Sequence, residues 1–130
     1  MNRKEYAETY FKGDKFATET TGIEIEDVGN QYAKCLLKVD ARHLNAAGIV
    51  MGGAVFTLAD FTFALASNPQ GMWTVSVSST IEYLNPAKGP ALYCEANCLK
   101  DGRSACFYEM TVTDCSGAPV ARVLTTGFKK

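Results

Sequence analysis

The residues with chemical potential lie in one stretch of the chain. From Leu44 to Ile81 the only formally charged residue is Asp60. Its neighbours Leu58, Ala59, Phe61 and Phe63 are apolar, and a carboxylate among such groups is costly to desolvate. It persists when paired, when solvated in a cleft or when used, and a carboxylate perturbed in a cleft can serve as nucleophile or general base. Ahead of it stand Gly52 and Gly53. If a helix starts there, its first N–H groups have no partner inside the helix and lie at the positive end of its dipole. Glycine lets a ligand atom approach the backbone closely, which suits a developing oxyanion or a phosphate. Each feature also has a plain structural reading. Asp60 could bond a nearby hydroxyl or backbone donor, and the glycines could serve tight packing of a helix on a sheet.

Other residue types narrow the chemistry. A single histidine, His43, leaves no scope for a multi-histidine metal site, so no metal and no cofactor are expected. The sequence has no G-x-S-x-G, and a Ser-His-Asp hydrolase is disfavoured. A cysteine nucleophile paired with His43 has no supporting motif, and His43 itself reads as a structural or loop-positioning residue. The five cysteines are odd in number and form no C-x-x-C, so reduced, semi-buried thiols are expected. The opening residues Met1 to Glu5 show no apolar segment of the signal-peptide kind, and a cytoplasmic location is expected. Lys plus Arg is 13 and Asp plus Glu is 14, for a net charge of −1. That balance argues against nucleic acid or an anionic membrane as the main partner. With 130 residues and 47% apolar content, the chain reads as one globular domain over residues 1–130.

The elements that must position these groups can be read next. Residues 53–66, GAVFTLADFTFALA, are apolar on every side, as in a buried helix. Ser67-Asn68-Pro69 ends it, because proline cannot continue a helix. A membrane span is the weaker reading, since the stretch is short and a central Asp costs about 2.5–3.5 kcal/mol on insertion. Tyr6 and Tyr10 at i, i+4 suggest a short amphipathic helix within residues 1–16, and Thr20-Thr21-Gly22 reads as a loop. Ile23 and Ile25 alternate with Glu24 and Glu26, Gly29-Asn30 turns, and residues 31–39 form a paired strand. Trp73, Val75, Val77, Ile81 and Tyr83 fall on one parity and Thr74, Ser76, Ser78, Thr80 and Glu82 on the other, predicting a strand with the first set on one face. Residues 91–99, a strand containing Cys106 to Val112, and 119–128 continue as an antiparallel meander, with turns at Asp101-Gly102 and Asp114 to Gly117. One buried helix plus an antiparallel sheet is an α+β layout. The sheet must curl around the helix, and the helix's remaining sides need another surface, which suggests a subunit partner.

Residues 43–60, HLNAAGIVMGGAVFTLAD, resemble the signature H-x-N-x-x-G-x-x-H-G-G-x-x-x-x-L-x-D of the hotdog-fold acyl-CoA thioesterases, in their PaaI-like (phenylacetate-pathway) branch. The later stretch TIEYLNPAKG, then KDGR and the closing strands, continues the likeness over roughly residues 20–128. The resemblance implies a long central helix wrapped by a curved antiparallel sheet, assembled as a dimer or a dimer of dimers. It implies hydrolysis of an acyl-CoA thioester without metal or redox cofactor. By position it makes Asp60 the catalytic carboxylate and Gly52 the backbone donor to the thioester carbonyl. Asn45 then helps place the carbonyl or water, and Ser76 orients the attacking water. Met51 and Gly53 border the substrate. Met51 is the departure, for the signature has histidine there and a thioether neither donates a hydrogen bond nor carries a proton. The reaction class is expected to hold with altered substrate preference or efficiency, with a non-catalytic acyl-CoA-binding module as the alternative. A hydratase of the same fold is disfavoured by Met51 and the lack of a second histidine.

Spacing adds an independent constraint. Eight residues separate Gly52 from Asp60, about 12 Å along one helix. An oxyanion donor must lie about 3 Å from the carbonyl oxygen and the attacking group about 3–3.5 Å from the carbonyl carbon. One helix cannot supply both to one thioester. The two groups are therefore expected to come from different subunits across a two-fold interface. The cations that would hold CoA phosphates stay unassigned, although Lys88, Lys100, Arg103, Lys129 and Lys130 lie in turns and the tail. Trp73, Phe56, Phe61, Phe63 and Tyr83 could line an acyl pocket or simply form core.

Overall fold

The apolar run after Met51 forms a sixteen-residue helix, α2 (Gly52–Ser67), in a computed structural model that describes residues 1–69 and 74–130. A shorter helix, α1 (Arg3–Phe11), precedes it. It is opened by an Asn2–Glu5 capping box, and its Phe11 packs edge-on against Phe61 of α2. The strands are β1 (Ile23–Gly29), β2 (Tyr32–Lys38), β3 (Thr74–Tyr83), β4 (Ala91–Asp101), β5 (Ala105–Asp114) and β6 (Pro119–Lys129). They form one antiparallel sheet in the order β1-β2-β4-β5-β6-β3. This is the expected α+β architecture, with the meander at β4-β5-β6 and β3 returning beside β6 at the far edge.

The inward face of the sheet follows the strand period. Ala33, Cys35 and Leu37 of β2 pair with Ala96, Cys94 and Leu92 of β4, and all six are fully buried. With Met110, Val112 and Val123 they enclose Val55, Leu58 and Leu65 of α2. Burial of a side chain of this kind is worth about 1.5–3 kcal/mol relative to exposure, so the helix is held chiefly by its packing on the sheet.

Several local expectations are corrected. Thr20-Thr21-Gly22 is not a loop. Phe16–Thr21 form a turn of π-helix, closed by Gly22 in the left-handed region at φ 83°. The first strand runs to Gly29, with a bulge between Ile25 and Asp27, so its turn falls at Asn30-Gln31. The largest correction concerns β3. Its pairing with β6 slips between Ser76 and Ser78, leaving Val77 as the extra residue of a bulge. Thr74 and Ser76 pair with Lys129 and Gly127, whereas Ser79, Ile81 and Tyr83 pair with Thr125, Val123 and Ala121. Gly127, Thr125 and Val123 face α2, so Ser76 and Tyr83 share the inner face despite opposite parity. Val75 and Val77 point outward, at 37% and 66% exposure, and Trp73 lies outside the described residues.

Helix α2 is not buried on every side. Gly53 and Asp60 are exposed and Thr57 and Ala64 partly so, and at helical spacing these residues make one open stripe. Among the described residues, no helix is long and apolar enough to cross a membrane.

Candidate active site

The start of α2 is fixed by a chain of contacts from the preceding loop. Arg42 Nη1 donates to the carbonyls of Glu19 and Thr20 at 3.2 and 2.8 Å, and its Nε pairs with Asp40. His43 is buried. Its Nδ1 accepts from the Asp40 N–H at 3.0 Å, which makes Nε2 the donor to the Thr21 carbonyl at 2.7 Å. Successive carbonyls at the end of the π-turn are thus capped by two adjacent side chains. The His43 carbonyl in turn accepts the Met51 N–H at 2.8 Å, just before the helix begins. His43 is therefore a structural residue of the loop.

Asn45 braces the same loop. Its Oδ1 accepts from the N–H groups of Ala47 and Ile49 at 2.9 and 3.2 Å, while its backbone N–H bonds the Ile49 carbonyl at 2.8 Å. The oxygen of its amide is occupied, and the amide nitrogen is the end it can offer a ligand. Gly48 sits at φ 77° within this turn, a conformation that glycine adopts without strain. At the helix tip the N–H groups of Ala54 and Val55 both donate to the Met51 carbonyl, at 2.9 and 3.2 Å. Those of Gly52 and Gly53 precede the first internal bond of the helix and point outward with its dipole.

Tyr83, at the end of β3, packs on this tip. Its hydroxyl donates to the Gly52 carbonyl at 2.9 Å. A Cβ at position 52 would come within 3.0–3.3 Å of three atoms of the Tyr83 phenol, so the ring occupies the space that glycine leaves. At position 53 an added Cβ would meet only the Met51 Cε, at 3.8 Å.

Two hollows flank the tip. One, of about 410 Å³, is lined by Val50, Gly52, Val55, Tyr83, Leu84 and Ala87. The other, of about 420 Å³, lies along the open stripe and is lined by Phe16, Thr20, Arg42, Met51, Gly53 and Thr57. Both are mainly apolar, the kind of surface that receives a small organic group. Met51 stands at the rim of the second hollow, 58% exposed.

Asp60 is one helical turn beyond Thr57 on that stripe. It reaches solvent in the single chain, yet the surrounding helix face is apolar enough that desolvation raises its carboxyl above the usual Asp range. The Asp14 carboxylate, just after α1, adds to that rise by like-charge repulsion. Ser76 is exposed on the inner face of β3. The structure therefore places Met51, Gly52 and Gly53 at the helix tip and Asn45 in the turn of the loop that leads to it, and leaves Asp60 two turns away on the same helix. The contributions of Asp14, Phe16 and the Tyr83 hydroxyl escape the sequence reading, because no spacing or periodicity links them to the helix tip. Of the aromatic residues considered for an acyl pocket, Phe61 and Phe63 belong to the core and Tyr83 lines a hollow. Lys129 is held by Asp101 and by the Gly102 carbonyl.

A curved antiparallel sheet around one long helix, with a glycine-marked helix tip and a carboxylate further along, defines the hotdog class of thioesterases. The chain belongs to the thioesterase superfamily, whose family model matches residues 47–121, and within it to the PaaI-like thioester hydrolases. A putative esterase of Archaeoglobus fulgidus is 33% identical, over 92% of this chain and 77% of its own length. The acyl-coenzyme A thioesterase PaaI of Escherichia coli is 30% identical, over 88% of this chain and 82% of its own. Its solved structure superposes with a TM-score of 0.91, over 98% of this chain and 94% of that one, at 24% identity. A hypothetical thioesterase of Streptococcus pneumoniae, solved with coenzyme A, gives a TM-score of 0.85 at 28% identity, over 92% of this chain and 96% of that one. Two further structures of the pneumococcal protein carry single alanines, one for an aspartate and one for a threonine sixteen positions later.

Proposed function

We propose that this protein hydrolyses an acyl-CoA thioester to free acid and CoA, at a site completed by two copies of the chain. The observation that carries this reading is the placement of Asp60 and the free N–H groups of Gly52 and Gly53 on one helix. Asp60 stands on the open stripe, one turn beyond the Thr57 wall of an apolar hollow and about 12 Å along the axis from a tip built to receive negative charge. A second helix laid antiparallel against that stripe brings each Asp60 toward the other chain's tip. The likeness to proteins named acyl-coenzyme A thioesterases, and to one crystallised with coenzyme A, supports the substrate class. Asp60 and Ser76 are separated by the interval between the two positions altered in the pneumococcal protein, with a hydroxyl residue at the second in both chains.

In this reading the thioester carbonyl oxygen accepts from the helix tip, and the amide of Asn45, oriented by its own loop, lies close by. Asp60 of the opposite chain then either attacks the carbonyl carbon or takes a proton from water that attacks it, with Ser76 holding that water. The carbon–sulfur bond breaks and CoA leaves as thiolate; after direct attack, water then cleaves the acyl–Asp60 mixed anhydride and frees the carboxylate, whereas in the general-base course the attacking water has already supplied the oxygen of the acid. CoA thiolate is a good leaving group, so a methionine at position 51 is compatible with turnover.

Thiol release from a panel of short, long and aryl acyl-CoA substrates tests the reading. Asp60→Asn should lower kcat/KM at least as much as the loss of one oxyanion donor does elsewhere, about 10²–10³-fold. Parent-like turnover by that variant would remove Asp60 from the mechanism. Equilibrium binding of acyl-CoA by the parent with no thiol released would favour a binding module. Single turnover in heavy-oxygen water, with mass measurement of the peptide containing Asp60, separates attack by the carboxylate from general-base action.

A further inference from the structure

We infer that Tyr83 is a positioning residue for the oxyanion site, acting through the peptide between Gly52 and Gly53 to present the Gly53 N–H as a second donor beside that of Gly52. The inference rests on the reaction proposed above. That peptide is planar, so its carbonyl and its N–H point to opposite sides of one rigid unit. Tyr83 Oη donates to the carbonyl end at 2.9 Å. The nitrogen end belongs to Gly53, which has no internal helix partner and faces the second hollow. Fixing the carbonyl fixes the direction of the N–H, and a donor on the carbonyl polarises the peptide so that its N–H donates more strongly.

The helix alone would not do this. First-turn residues fray, and two consecutive glycines have more backbone freedom than any other pair. The phenol restrains them twice. Its hydroxyl holds the carbonyl, and its ring fills the space within 3.0–3.3 Å of where a Cβ at position 52 would stand. Tyr83 reaches the tip because the Val77 bulge turns it to the inner face. The same contact explains the asymmetry of the glycine pair. A Cβ at position 52 would press on the phenol, whereas position 53 faces open space beyond Met51.

Tyr83→Phe removes only the hydroxyl, at a half-exposed position, and should leave the melting temperature unchanged. The expected result is a kcat about tenfold lower, well short of the 10²–10³ of losing a donor outright. KM should stay within about twofold, because the interaction is made in the transition state. In protein labelled with ¹⁵N-glycine, the Gly53 amide proton should move upfield while the Gly48 and Gly117 amides stay in place. An unchanged kcat overturns the inference. So does a fall in kcat with the Gly53 amide unmoved, which would put the hydroxyl on the substrate instead. Asp60→Asn measured alongside keeps the two proposals apart. If that variant turns over like the parent, the shared-site reaction fails. If it is dead while Tyr83→Phe is fully active, only the role of Tyr83 fails.

Discussion

A carboxylate that attacks or takes a proton must be ionised, and the surroundings of Asp60 oppose ionisation. Desolvation by the helix face and its neighbours is the larger cause, with the Asp14 charge adding to it. The acid limb of the kcat/KM profile should therefore lie above the ordinary Asp value of about 3.9. Asp14→Asn removes the repulsion and should move that limb to lower pH without abolishing turnover, which a pH–rate profile on both proteins would read. The same shift has a thermodynamic sign. The folded chain binds the Asp60 proton more tightly than the unfolded chain, so its contribution favours folding below the ordinary Asp pKa. That contribution is lost as pH rises through the raised value. At neutral pH the ionised side chain is thus a net cost to the fold. Asp60→Asn should melt at a higher temperature than the parent at pH 7 while losing activity, and calorimetry with both proteins at matched concentration would show it.

At the scale of elements, the bulge in β3 decides which groups meet. A strand of strict period two would put Ser76 and Tyr83 on opposite faces; the extra residue at Val77 puts both toward α2. Deleting Val77 should restore the regular ladder and turn one end of the strand over. Activity is then expected to fall to background while circular dichroism still reports a folded α+β protein. The neighbouring strand carries a related constraint. A Cβ at Gly127 would fall within about 3 Å of Cys106 Sγ, Phe63 Cζ and Thr74 Cγ2, so Gly127→Ala overpacks the seam between β6, β5 and α2. A loss of about 1–3 kcal/mol is expected, measured by urea denaturation. Much of this architecture is legible in the residues. The apolar run with its lone charge marks α2 and Asp60, and the alternation after residue 90 marks the meander. The bulge is not legible, since Ser76-Val77-Ser78 alternates as a regular strand would. Nor is the packing of Tyr83 on Gly52, or the approach of Asp14 to Asp60. These depend on how distant segments dock, and local periodicity carries no trace of that.

At the scale of the whole molecule, one chain holds both halves of the proposed site yet cannot use them together. Mixing Asp60→Asn chains with chains blocked at the tip by Gly52→Leu tests this directly. Each variant alone should be inactive. A hybrid dimer regains one intact site of two, so a statistical mixture should recover about a quarter of parental activity. Absence of recovery, with hybrid formation confirmed by mass, would require both groups to act within one chain.

The outer side of β3 sets a limit on how this protein can exist. Ten residues of backbone there have no neighbour among the described strands, and Val75 and Val77 stand along the rim. Such a margin is a template for any extended chain that drifts past. Diluting the protein until its copies separate should yield sticky, precipitating material instead of well-behaved half-enzymes. A second copy that lies along α2 and also pairs with this edge would complete catalysis and keep the protein from clumping in one contact.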